Sequence, residues 1–472
     1  MKRFFAFTVL ILAMLLVSIT VVSAQGQSTR YTILLKSNNI PANFARSVEN
    51  AGGTIVNTIP QVGIVTVASS NPNFATEIRA LNTVSSVGGS AVHTLPQTAN
   101  VAFESKGPTA TDDIYNGGLV WGVDRVHAPQ AWTNGYSGSH NTVVAVIDTG
   151  IAWNHPDLTA NVVYVGCVTG GGAAQFFAWG QVTNSTCNPY PSLSDHGTHV
   201  SGTVAAAFDG GRVVGVGPNL GLAGYNTFEE IEGCGVCSYS ESRWVAMIDA
   251  ADHGFDVISM SLGGTGQLGG PGSNGLATFV AAEQRVANYV SAKGTVMVAS
   301  AGNSALNLNG TIVHVPGDVP GIINVSATGI RPNPRYEPGV SYDVIAFFSN
   351  YGAPITIAAP GGDCGLPNSC GADRPANWFE YLVLSSIVTP SPKCAERASC
   401  PTGYGWKAGT SMATPHVSGV AGLVSDVRPD LSANQITAIL KQSAEALGNR
   451  QLFGAGMVRA DLAVQSALGV NR

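Results

Sequence analysis

The chain has 472 residues with 11% charged side chains, under half of the roughly 25% usual in soluble domains. Its formal net charge is −6, from 23 Lys+Arg against 29 Asp+Glu. This excludes the basic face of a nucleic-acid binder, and 45% hydrophobic residues exclude a disordered chain.

Lys2 and Arg3, the apolar run from Phe4 to Val17 and the small residues Val22-Ser23-Ala24 read as a signal peptide over 1–24. An uncleaved anchor over Phe4–Val22 is the rival reading, being about long enough to span a bilayer. No later stretch is apolar enough to cross a membrane, so no stable insertion is expected after cleavage. The body is expected to be secreted. Export makes the eight cysteines disulfide candidates, with connectivity open. Cys234-Gly-Val-Cys237 could instead be a redox pair or half a zinc site, but it lacks the context either would need.

Residues 25–95 form a block of their own. Tyr31–Leu35 and Gly63–Val67 read as strands, and Ala42–Ala51 and Asn73–Leu81 as helices, a small α+β unit. Residues 96–118 carry Pro, Thr, Asp and Gly without periodicity and read as a linker. From 119 to 472 short apolar strands (Val143–Ile147, Asp256–Met260, Thr295–Ala299, Gly321–Val325) alternate with amphipathic helices (Ser240–His253, Leu276–Ala292, Met412–Val424, Ser432–Ala444). That alternation predicts an α/β fold, a doubly wound parallel sheet with flanking helices. The cysteine-bearing stretches 164–194 and 361–405 lack it and read as stapled surface insertions.

Three motifs carry chemistry. Val144-Ala-Val-Ile-Asp148-Thr-Gly150 is a buried strand ending in an acid, placed where doubly wound sheets bind ligands. An aspartic protease would need a second such aspartate, and none occurs. In Asp195-His196-Gly-Thr-His199, the histidines could ligate a metal, yet no HExxH spacing accompanies them. In Gly409-Thr-Ser411-Met-Ala-Thr-Pro415-His416, a serine opens a helix, where backbone N–H groups lack partners.

Asp148, His196 and Ser411, in that order on an α/β scaffold, resemble the subtilisin family of serine endopeptidases (subtilases). Trp121–Trp132, Asp256–Gly264 and Ala299-Ser-Ala-Gly-Asn303 match as well. The resemblance implies a Ser-His-Asp triad acting on polypeptide substrates through an acyl-enzyme, with Ser411 as nucleophile, His196 as base and Asp148 orienting it. It further implies Asn303 as an oxyanion-hole amide and Ser261-Leu262-Gly263 as the wall that binds extended substrate. His199 and His416 are read as structural.

Asp157 and Asp209 stand at family calcium-ligand positions, which implies a structural Ca²⁺, although the family usually has an amide where Asp209 stands. The 25–95 block resembles an I9-type inhibitor propeptide, an intramolecular partner removed by self-cleavage within 96–118. A monomer is expected. The alternative is a degenerate subtilase kept as a binding or surface protein, which the complete residue set opposes.

Overall fold

The computed structural model describes residues 28–95, 99–102, 115, 118–170, 173–178, 187–208, 212–269, 273–331, 342–365 and 376–469. The signal-peptide reading therefore lies outside the described residues, as does most of 96–118.

Near the N-terminus four antiparallel strands form one sheet, in the order Gly53–Ile59, Ile64–Ser69, Thr29–Leu35, Val84–Gly89. Helices Phe44–Asn50 and Phe74–Arg79 accompany it. Successive strand residues face opposite ways, and the sequence uses both directions. Ile33, Leu35, Val65 and Val67 join Phe44, Val48, Phe74 and Ile78 in a private core. Leu34 and Ile64, next to them in sequence and facing the other way, join the core of the larger body.

That body is built on seven parallel strands, ordered Val162–Thr169, Gly221–Asn226, Val143–Asp148, Val257–Met260, Val296–Ser300, Ile322–Arg331, Ile357–Pro360. Antiparallel strands Ala173–Ala178 and Tyr342–Ile345 flank it. Central parallel strands must be apolar on both faces. Val144 and Val146 accordingly pack with helices His196–Ala205 and Thr410–Val427, while Ala145 and Ile147 pack with Ser240–Asp252 and Ser273–Ala292. From Val143–Asp148 the chain first builds to one side and later to the other. The carboxyl end of this strand is thus the topological switch point, where such sheets bind ligands.

Two expectations need correcting. The stretch 164–194 is not a surface insertion: Val162–Thr169 is a sheet strand whose Cys167 is fully buried and bonded to Cys187. Nor is 361–405, which contributes the buried strand Val383–Val388, packed against helix His196–Ala205, and the start of its partner Thr402–Ala408. Val383–Val388 is interrupted by Ser385-Ser386, and the apolar run Val162–Thr169 straddles the start of the cysteine-bearing stretch. Cys234–Cys237 and Cys394–Cys400 are also disulfides, which removes the zinc reading of the CxxC.

The N-terminal unit sits on helices Ser240–Asp252 and Ser273–Ala292. Arg285 Nη1 donates to the carbonyls of Leu35 and Val62 at 2.8 and 3.1 Å. Arg30 lies 3.3 Å from the fully buried Glu241 carboxylate and 3.9 Å over the Tyr239 ring. Val92–Thr94, at the end of the 25–95 block, pairs antiparallel with Gly235–Tyr239, and Ala99–Ala102, inside what reads as linker, pairs with Thr402–Ala408.

Burial pushes the Glu241 carboxyl up to about 7, with Arg30 opposing the shift. A raised folded-state pKa favours the folded chain at low pH, a contribution lost as pH climbs from about 4.5 through about 7. Glu241→Gln should therefore flatten the fall in Tm between pH 5 and pH 8 for the uncut chain. The difference should be on the order of 1–3 kcal/mol, read by thermal unfolding across that range.

Candidate active site

Asp148 ends the central strand fully buried, so its carboxylate must find partners within the protein. Oδ1 accepts the next backbone N–H, from Thr149, at 2.8 Å. His196 Nδ1 lies 2.9 Å from both carboxylate oxygens. His196 opens the helix His196–Ala205, which can approach the strand end this closely because residue 197 is glycine. A Cβ there would collide with the carbonyl of Gly150 and lie 3.2 Å from the Asp148 Cβ. The Gly197 N–H donates instead to Thr149 Oγ1 at 2.9 Å. With Nδ1 engaged by Asp148, the imidazole presents Nε2 as its other functional nitrogen, buried and without a partner among the described residues.

Ser411 is the second residue of helix Thr410–Val427 and is fully buried. Pro415, four residues on, has no N–H to give the Ser411 carbonyl its helical hydrogen bond. Ser261 Oγ supplies it at 2.7 Å, while Ser411 Oγ donates to the Ser261 carbonyl at 3.1 Å. The Ser411 hydroxyl is thus held on Ser261 in this state. Asn303, just past strand Val296–Ser300, has its Oδ1 taken by Thr410 through the backbone N–H at 2.8 Å and the hydroxyl at 2.7 Å. The amide is thereby locked to Thr410, the residue next to Ser411. Thr410 Oγ1 also accepts from Gly302 N at 3.1 Å.

The structure thus brings Asp148 and His196 into contact, couples Ser411 to Ser261, and ties Asn303 to Thr410. Leu262 is buried in the core and Gly263 continues the wall. His199 and His416 do not converge on a common point with His196. His199 Nε2 faces the carbonyls of Val383 and Gly405 at 3.1 Å, and His416 Nδ1 donates to the Met412 carbonyl at 2.8 Å. Burial holds His199 well below its ordinary pKa and His416 at about 4, so both are neutral structural groups.

The calcium expectation fares differently. Asp157 is fully buried, but its Oδ1 meets Arg212 Nη1 at 3.3 Å and the Tyr404 hydroxyl at 3.1 Å. A guanidinium against this carboxylate already supplies the positive charge, so Asp157 as placed does not fit a calcium ion. Asp209 lies outside the described residues, and among those described no three acidic, histidine or cysteine groups are placed to hold a metal.

Sequence reasoning missed Thr410 and the ion pair of Lys407 with Asp195, 2.9 Å apart beside His196. Lys407 is buried near the end of strand Thr402–Ala408, just past the stretch read as an insertion.

A model of the subtilase family of peptidases matches residues 139–456, a span that holds Asp148, His196, Asn303 and Ser411. The chain belongs to the subtilase family. It is 33% identical over 351 residues to alkaline elastase YaB of a Bacillus species, covering 74% of this chain and 70% of that protein. Subtilisin DY of Bacillus licheniformis is 31% identical over 349 residues, 74% of this chain and 99% of that one. The crystal structure of fervidolysin from Fervidobacterium pennivorans superposes with a TM-score of 0.68 at 23% identity, over 94% of this chain and 62% of that one, which shows the shared fold. This subtilase is a serine-type endopeptidase.

Because Pro415 leaves the Ser411 carbonyl dependent on Ser261, Ser261→Ala should strand a buried acceptor. The expected loss is about 1–3 kcal/mol, read as a lower denaturant midpoint at unchanged slope. An unchanged midpoint would mean that the hydroxyl is not needed there.

Proposed function

We propose that Asp148, His196 and Ser411 form the catalytic triad of this endopeptidase. The Asp148–His196 contact, at the start of a helix that packs against the one carrying Ser411, is the observation that carries the reading. For catalysis, Ser411 Oγ leaves the Ser261 carbonyl and gives its proton to His196 Nε2 as it attacks the scissile carbonyl. His196 then protonates the leaving amine, and Asp148 stabilises the imidazolium between the two steps. The resulting acyl-enzyme is hydrolysed by the same groups acting on water. Asn303 Nδ2 and the Ser411 backbone N–H donate to the developing oxyanion, the amide being preset by its Oδ1 bonds to Thr410.

The chain is made as a secreted zymogen, with residues 25–95 as propeptide and the cut within 96–118. Support comes from the way the N-terminal segment docks, adding strands to Gly235–Tyr239 and Thr402–Ala408 much as an extended substrate would. The Asp157 position is held by Arg212, and no step in this reading needs a metal.

Ser411→Ala, expressed alone, should accumulate as the uncut chain, visible by intact mass, while the wild type matures. A Ser411→Ala protein that still loses residues 25–95 would contradict self-processing. Asn303→Ala should process and label slowly, with kcat down about 10²–10³-fold, the loss that removing one such donor produces in subtilisin.

A further inference from the structure

We infer that Tyr239 and Glu241 form a guanidinium site, held by Arg30 in the uncut chain, which after maturation takes an arginine of the substrate polypeptide several residues ahead of the scissile bond. This rests on the reading of residues 25–95 as a propeptide, since only its removal frees the site.

The pieces of such a site are in place. Glu241 lies in the first turn of helix Ser240–Asp252 and is fully buried. Arg30 Nη1 stands 3.3 Å from its Oε1, and the guanidinium carbon lies 3.9 Å from the centroid of the Tyr239 ring. A planar cation stacked on an aromatic face, with a carboxylate in reach, suits arginine better than lysine. Glu229, on the strand paired with Gly235–Tyr239, adds negative potential at both Tyr239 and Glu241.

Maturation changes what surrounds this carboxylate. Arg30 belongs to the strand Thr29–Leu35 of the N-terminal unit, so it leaves with that unit. Arg243, on the same helix as Glu241, is no substitute, because it is buried against Glu283. Arg30 is thus the cation that balances Glu241, and its loss leaves carboxylate and ring facing the ground that the N-terminal unit vacates. A carboxylate set in the protein without a counter-charge is costly, so an incoming cation gains by replacing Arg30.

A substrate reaches the site along the edge of Gly235–Tyr239. In the uncut chain that edge carries Val92–Thr94, with Val92 opposite Tyr239 and Thr94 opposite Cys237. The strand of Arg30 is tied in just upstream, where the Ser90 N–H donates to the Arg30 carbonyl at 2.9 Å. Backbone pairing of this kind tolerates any sequence, so a substrate strand can take the same edge once the propeptide has gone. The residue that then stands at the level of Val92 lies beside Tyr239. Residues 92 to 95 all precede the cut, so the arginine occupies the fourth position before it or an earlier one.

The test uses the matured protein at pH 8, above the value of about 7 to which burial pushes the Glu241 carboxyl. Peptides carry a single arginine, or its uncharged analogue citrulline, at each position from the fourth to the eighth before the scissile bond. Arginine should raise kcat/KM about fivefold at one or two adjacent positions, chiefly through KM. A Glu241→Gln protein that still reacts with a fluorophosphonate probe should lose that advantage. Equal rates for arginine and citrulline at every position overturn the inference. So does an arginine advantage spread evenly over the positions, or one that labelling-competent Glu241→Gln retains. If Glu241→Gln does not mature, the wild-type scan decides. An active protein that keeps residues 25–95 contradicts the propeptide reading instead, and cleavage of none of the peptides, with no labelling at Ser411, contradicts the triad reading.

Discussion

A carboxylate buried at the end of a central β-strand is costly unless the protein gives it donors, and Asp148 obtains them from Thr149 N and His196 Nδ1. Most of the arrangement around Asp148 follows from that requirement. The strand must end at the switch point, the helix His196–Ala205 must begin within contact of it, and residue 197 must lack a Cβ for the two to meet. With both carboxylate oxygens on Nδ1, the imidazole cannot turn, and Nε2 is the only ring nitrogen left for chemistry.

The surroundings of Ser411 are organised by an absence in the backbone. Pro415 deletes the helical hydrogen bond that the Ser411 carbonyl would receive, and Ser261 fills the gap. That exchange ties the helix carrying Ser411 to the segment that follows strand Val257–Met260. Thr410, one residue earlier, does the same for Asn303 through its N–H and hydroxyl. Two strand ends, at Ser261 and at Gly302-Asn303, are thus cross-linked to Thr410 and Ser411 at the start of this helix. The N-terminal unit covers the opposite helices with residues whose alternate neighbours build its own core, so its fold and its docking share the same strands.

The sequence was most legible where periodicity and chemistry coincided. The apolar run before Asp148, the long helices from Ser240 and Met412, and the disulfide reading of the cysteines all emerge from residue pattern alone. Strand Gly221–Asn226 escaped notice because Gly, Ala and Asn mask its apolar character, although every one of its residues is buried. Strands at 162–169 and 383–388 were hidden in stretches read as insertions, since cysteine and serine can line a core as well as a loop. The calcium reading at Asp157 depended on a position in the chain, whereas the occupant of that carboxylate is decided by Arg212, 55 residues away. Arg30 and Glu241 gave no motif signal; their contact is a property of the fold alone.

The most direct test of the central claim, that Asp148 makes His196 the base for Ser411, is the rate at which a fluorophosphonate labels Ser411 in the matured protein and in Asp148→Asn. The account predicts labelling at Ser411 that is slower by about 10³–10⁴-fold in the variant, because the amide no longer holds the imidazole in its reactive tautomer. Equal labelling rates in the two proteins, or a label found on another residue, would contradict it.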